Sequence, residues 1–277
     1  MSLTASYDWR VWRVDEKWKR YGYEEHYLSY RGSQTKYKAI IRRGNLVAIV
    51  TRDYVLLPLE ASEQIADRIS ERIGAEKVDC IYTDTKMYAL YKLKDVRDIG
   101  KYRVCRGFFM YNSIDGSMAF GASVLAEIWI GSNRYYALMG AKAMSRILSP
   151  EKAVAVLWKP HRKGVLDADE KELIETVKNV IDRGEEALNV FKVWSELYIN
   201  DEVARYFADR FPEIYLPRSV KLLSKGYTIK ELVTVWDAYV EFVQRIWRNP
   251  NASIDRKYEL MRLLLSAVEN ATKKLKG

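Results

Sequence analysis

Tyr102–Ala122 reads YRVCRGFFMYNSIDGSMAFGA, and this stretch decides the fold. Two apolar runs are joined by Asn112-Ser-Ile-Asp-Gly-Ser117. Asp-Gly flanked by Asn and Ser builds a turn, because the short polar side chains cap backbone amides and glycine accepts positive φ. The reading is a strand from Tyr102 to Tyr111, a turn, and a return strand from Met118 to Ile130. Turn geometry alone accounts for Asp115 and Gly116.

Upstream, the period of two continues. Lys36-Tyr-Lys-Ala-Ile-Ile-Arg-Arg43 faces Leu46-Val-Ala-Ile-Val-Thr51 across Gly44-Asn45, a hairpin signal. After Pro58, Ala61, Ile65, Ile69 and Ile73 recur at every fourth residue and stop at Gly74, which predicts an amphipathic helix. Lys77–Tyr82 and Lys86–Leu93 read as two more strands. The first 35 residues interleave Trp9, Trp12 and Trp18 with Arg10, Arg13, Lys17, Lys19 and Arg20, followed by Tyr21, Tyr23, Tyr27 and Tyr30. They read as an amphipathic or irregular arm. Three tryptophans bury a large area, which favours docking on the protein's own core over docking on a partner.

Beyond Pro160 the pattern becomes helical, with Gly164-Val-Leu-Asp167 as boundary and helix cap. Leu173, Val177, Val180, Gly184, Ala187, Phe191, Trp194 and Tyr198 step by four and three along one long helix. The stepping recurs at Leu232, Trp236, Tyr239, Val243 and Ile246, and at Met261, Leu264, Val268, Ala271 and Leu275. Shorter pieces at Val203–Phe207 and Arg218–Leu223 are broken by Pro212 and Pro217. Three apolar stripes can satisfy one another in a bundle, or one can mate with a second subunit as a homo-oligomer. The expected class is α+β: an N-terminal antiparallel sheet with a helix, then a C-terminal helical bundle. The expected division is an arm over 1–35, a sheet domain over 36–165 and a helical domain over 166–277.

With 277 residues and 48% hydrophobic content, the chain can bury a substantial core. No window approaches the roughly 18 apolar residues that span a bilayer, and no apolar signal core opens the chain, so a cytoplasmic or virion protein without a membrane partner is expected. Cys80 and Cys105 are the two cysteines, each in an apolar run. Burial as small hydrophobes is the expected role, with a disulfide as the alternative. The net charge of +9 and the 20 Tyr and 8 Trp supply phosphate neutralisers and stacking faces. The basic residues are spread along the chain and mixed with acids. Few His and Cys with many charged residues hint at a thermophilic source.

Catalytic patterns are sparse. His26 and His161 are the two histidines, so a metal centre built on imidazole is not expected. There is no phosphate-binding glycine loop, dinucleotide fingerprint or nucleophile elbow, and no cofactor is expected. Asp79, Asp84 and Lys86 form the one trio that suits a metal-dependent nuclease, an alternative that needs carboxylates clustered in space. The better candidates surround the turn. Arg103 and Arg106 precede it, Phe108, Phe109 and Tyr111 lead into it, and Arg134, Tyr135 and Tyr136 follow the return strand. Lys159-Pro-His161-Arg162-Lys163-Gly164 adds a basic loop. Arginines beside aromatics on a sheet can hold phosphates while bases stack. The candidate nucleic-acid-binding set is therefore Arg103, Arg106, Tyr111, Asn112, Arg134, Tyr135, Tyr136, His161, Arg162 and Lys163.

Arg106-Gly107, the strand into Asn112–Ser117, and the later His161-Arg162 resemble the phage- and plasmid-like proteins of unknown function found on mobile elements. Tyr37-Lys-Ala-Ile-Ile-Arg42 followed by Leu46–Tyr54 is similar to that family's paired strands leading to a helix. The likeness covers Lys36 to Lys163. Ile114 stands where the family has histidine, and Ile130-Gly-Ser-Asn133 stands where it has Cys-Asn-Gly. The resemblance implies a mobile-element setting and DNA handling. The sequence-based expectation is a non-enzymatic protein of a virus, plasmid or integrated element. Its expected partner is single-stranded DNA, in replication, recombination or annealing. A structural or assembly protein and a metal-dependent nuclease are the rivals.

Overall fold

Strands form where apolar and polar residues alternate between turn builders, and helices form where apolar residues return every three or four positions. A computed structural model describes residues 9–139, 157–159 and 170–276. The first half contains β1 (Trp9–Asp15), a 3-10 turn (Lys19–Tyr21), β2 (Tyr23–Tyr30), β3 (Ser33–Arg42), β4 (Asn45–Thr51) and α1 (Leu59–Ile73). Then come β5 (Glu76–Tyr82), β6 (Lys86–Ile99), β7 (Tyr102–Ser113), β8 (Phe120–Ile130), β9 (Asn133–Leu138) and β10 (Leu157–Lys159). The C-terminal part contains α2 (Glu170–Glu196), α3 (Asp201–Ala208), α4 (Arg218–Ser224), α5 (Val235–Arg248) and α6 (Ile254–Lys276). The fold class is α+β, as the sequence predicts.

One sheet has the order β1-β2-β3-β4 and the other the order β10-β8-β7-β6-β5, with β9 also paired to β8. The chain divides into two compact units, each assembled from three stretches. The first is Met1–Tyr91, Phe109–Ala122 and Leu157–Val177; the second is Lys92–Phe108, Ser123–Val156 and Lys178–Gly277. This division does not follow the compositional boundaries expected after 35 and 165. It falls inside β6, β7 and β8, because contacts follow strand pairing in space.

In the first unit, residues 9–30 are not an irregular arm. They form the strands β1 and β2, paired from Trp9↔Tyr30 to Asp15↔Glu25, with a register shift at Trp12. The β2–β3 and β3–β4 connections are two-residue turns with positive φ throughout: Arg31 (50°) with Gly32 (77°), and Arg43 (50°) with Gly44 (81°). That handedness matches the twist of the flanking strands. The turn expected at Gly44-Asn45 thus sits one residue earlier. Helix α1 buries Leu59, Ala61, Ala66 and Ile69 and ends at Gly74. There, Gly74 N–H and Ala75 N–H donate to Glu71 and Ser70 carbonyls, satisfying the last turn. Tyr23, Ile40, Leu56, Met87, Tyr91 and Met110 complete the buried core of this unit.

In the second unit, α2 presents Phe191 and Trp194, and α5 presents Trp236 and Tyr239; all four are fully or nearly fully buried. Phe191 stacks on Trp236 at 4.5 Å, and Trp236 on Tyr239 at 5.7 Å. Their polar ends are satisfied, Trp236 Nε1 by the Ile99 carbonyl and Tyr239 Oη by the Leu138 carbonyl. Helix α5 starts at a capping box between Thr234 and Asp237. The expected start at Leu232 falls outside it, and Leu232 is exposed. Gly184 of α2 faces β8 so closely that an added Cβ would meet Val124 Cγ1 at 3.2 Å. Cys80 belongs to the first unit and Cys105 to the second, and both are free thiols, not a disulfide. Burial pushes the Cys80 thiol up to about 12 and the Cys105 thiol up to about 11, so both stay protonated near neutrality.

Candidate nucleic-acid interface

The turn after β7 is held together by its own polar groups. Asp115 Oδ1 accepts from Ser117 N–H, and Ser113 Oγ both donates to the Met118 carbonyl and accepts from Met118 N–H. Asn112 is fully buried and donates to the Leu57 carbonyl at 2.9 Å and to Ser62 Oγ at 2.6 Å. Tyr111 is buried beside it. These two candidates therefore face the interior, where a nucleic acid cannot reach them.

The remaining candidates separate by their partners. Arg106 is mostly buried, with Nη2 2.7 Å from Asp95 and Nη1 3.3 Å from Glu185, so its charge is matched by two carboxylates. Tyr135 is buried and its hydroxyl accepts from Arg248 Nε at 2.9 Å. Tyr136 packs edge-on against Trp247 at 5.6 Å. Arg103 and Arg134 are brought together by a residue that the sequence did not single out: their guanidinium carbons lie 4.3 and 5.3 Å from the Trp129 ring centre. Beneath them the fully buried Glu127 accepts from Trp129 Nε1 at 2.5 Å and lies 3.4 Å from Arg134, which offsets part of that charge. His161, Arg162 and Lys163 lie outside the described residues.

A stronger combination of cations and rings lies on the four-stranded sheet. Trp9 and Trp12 of β1 are 44% and 36% exposed, and Tyr30 and Tyr37 are similarly open. Trp9 packs on Tyr30 at 5.2 Å and Trp12 on Tyr27 at 5.7 Å. Around them Arg52 lies 5.3 Å from the Trp12 ring, Arg13 lies 5.0 Å from Tyr27, Arg31 lies 5.3 Å from Tyr30 and Lys36 lies 5.4 Å from Tyr37. Trp12, Tyr27, Tyr30 and Tyr37 thus each have a cation over the ring. From His26 to Arg52 the sequence holds no Asp or Glu, yet it contains Arg31, Lys36, Lys38, Arg42, Arg43 and Arg52. Basic and acidic residues are thus not mixed evenly along the chain, and this local run of one sign was the signal available in the sequence.

Asp79 and Asp84 are exposed. Among the described residues no group of three or more His, Cys, Asp or Glu side chains is arranged to hold a metal ion. No helix among them is long and apolar enough to cross a membrane. No protein-family model matches the chain, and neither curated proteins nor solved structures include a match.

Proposed function

We propose that the chain binds single-stranded nucleic acid, single-stranded DNA above all, as a protein of a virus, plasmid or integrated element engaged in replication, recombination or annealing. The observation that carries this reading is the four-stranded sheet, where exposed rings lie beside cations: Trp12 beside Arg52, Tyr30 beside Arg31 and Tyr37 beside Lys36. Sequence-tolerant strand binding uses these two ingredients together: rings for bases and cations for the backbone. The Arg103–Trp129–Arg134 stack offers a second, weaker site of the same chemistry. Metal-assisted cleavage is not part of the proposal.

Fluorescence anisotropy of a labelled oligonucleotide tests it. Micromolar protein binds at low salt, and the logarithm of affinity falls linearly with the logarithm of salt, with a slope of about −0.7 for each neutralised phosphate of a single strand. Absence of binding at micromolar protein in low salt refutes the proposal.

A further inference from the structure

Strand β1 reads WRVWRVD and is an edge of the four-stranded sheet, pairing among the described residues with β2 alone. From Trp9 to Val14 every residue is exposed, so neither side of this strand is packed on the core. Its two sides differ in chemistry.

Paired residues of an antiparallel ladder share a side. Trp9 pairs with Tyr30, Val11 with Leu28 and Val14 with His26, and these β2 residues alternate with Tyr27 and Ser29. Trp9, Val11 and Val14 therefore stand on one side, 44%, 48% and 44% exposed. Arg10 pairs with Ser29 and Arg13 with Tyr27, which puts both arginines on the other side. The register shift at Trp12 preserves this division along the strand. Trp12 belongs with the arginines, since its ring packs on Tyr27 at 5.7 Å and has Arg52 5.3 Å from its centre. On the first side Glu24 is held by His26 at 2.8 Å, and on the second Asp15 lies 3.6 Å from Arg13.

Resting on the proposed single-strand binding, we infer that the nucleic acid runs along β1 with its bases over Trp9, Val11 and Val14 and its phosphates across the edge against Arg10 and Arg13, one base turning at the bulge onto Trp12. The partner of this edge must carry flat apolar groups along one side and regular negative charge along the other. A single strand does so, because bases and phosphates flank its sugar chain. A duplex turns its base faces inward and offers phosphates alone. A second copy of the chain would set arginine against arginine, which is destabilising. The ligand of β1 is thus a run of unpaired nucleotides, held through base faces without regard to sequence.

Anisotropy at low salt, on the full chain, compares three labelled probes of equal length: a single strand, its duplex, and an abasic single strand that keeps the phosphates. The duplex and the abasic strand bind at least about tenfold more weakly than the intact strand. Trp9→Ala lowers affinity for the intact strand about fivefold or more and leaves that for the abasic strand unaffected. Val11→Ser serves in its place should Trp9→Ala fail to fold. Arg10→Gln weakens intact and abasic strands by the same factor and flattens the salt slope by about 0.7. A folded Trp9→Ala chain that loses affinity for both strands equally, or an abasic strand or duplex that binds as tightly as the intact strand, overturns the inference while salt-dependent binding stands. Absence of binding to every probe at micromolar protein removes the proposed function itself, and this inference with it.

Discussion

The Lys38 ammonium is ion-paired with the Glu25 carboxylate inside the first unit, where the two residues are only 3% and 7% exposed. Lys38 Nζ also donates to the Tyr54 carbonyl at 2.6 Å, tying the sheet to the segment before α1. Breaking such a pair on one side leaves a buried charge without its counterion. Lys38→Ala is therefore expected to cost about 3–5 kcal/mol. The double replacement Lys38→Met with Glu25→Leu recovers most of that loss. Urea unfolding of the three proteins checks it.

Trp12 and Asn112 separate binding from stability. Trp12 is exposed beside Arg52, so Trp12→Ala should weaken oligonucleotide affinity by the roughly 1–3 kcal/mol that one stacked base contributes, about 5- to 150-fold. Asn112 is fully buried and doubly bonded, so Asn112→Ala should lower stability by about 1–3 kcal/mol and leave the affinity of the folded protein unchanged. Anisotropy and thermal melts on both variants give the comparison.

Arg31 adopts a left-handed backbone at φ 50° in a turn where Asn-Gly would be the least strained pair. Its guanidinium meanwhile lies over Tyr30 on the exposed sheet. Arg31→Asn should raise the melting temperature, by an amount on the order of 1 kcal/mol in stability, while weakening polyanion binding and flattening its salt dependence. A variant that gains stability and keeps full affinity would show that this arginine has no part in binding.

Asp237 links stability to pH. Burial pulls its carboxyl upward, but hydrogen bonds from Lys101 and Thr234, with the Lys101 charge 3.0 Å away, leave it below the usual carboxylate range. A carboxyl depressed by folding contributes stability that is complete above the unfolded value of about 3.9 and is lost as pH falls through the folded value. The melting-temperature gap between wild type and Asp237→Asn should thus stay constant from about pH 7 to 5 and narrow below about pH 4.

The elements legible in the sequence were those whose periodicity runs unbroken. Helix α1 has its spacing and its Gly74 stop, α2 its seam from Leu173 to Trp194, and the β3–β4 hairpin its alternation over Tyr37–Ile40 against Ala48–Thr51, before the register shifts at Ile41. Strand β1 was hidden because the register shift at Trp12 changes the phase between Val11 and Arg13, so WRVWRV does not alternate across one face. Strand β9 follows β8 after a two-residue turn and packs Tyr135, Ala137 and Leu138 inward, which erases alternation at its end. The site was obscured for another reason. Charge averaged over the chain is mixed, and only counting acids segment by segment isolates the run from His26 to Arg52. Conversely, Ser113 and Asp115 close the turn and Asn112 ties β7 to the start of α1, and a side chain that builds structure is of the same type as one that holds a ligand.

Each unit takes its residues from three separate stretches of chain, and this fixes the order of events during synthesis. The first 91 residues lack Phe109–Ala122 and Leu157–Val177 when they leave the ribosome, and the second unit waits for the last hundred residues. Neither unit is finished before the other has begun, so the usual domain-by-domain sequence of folding is not open to this chain. A chain cut after residue 165, where the composition changes, would contain two incomplete units and no complete one.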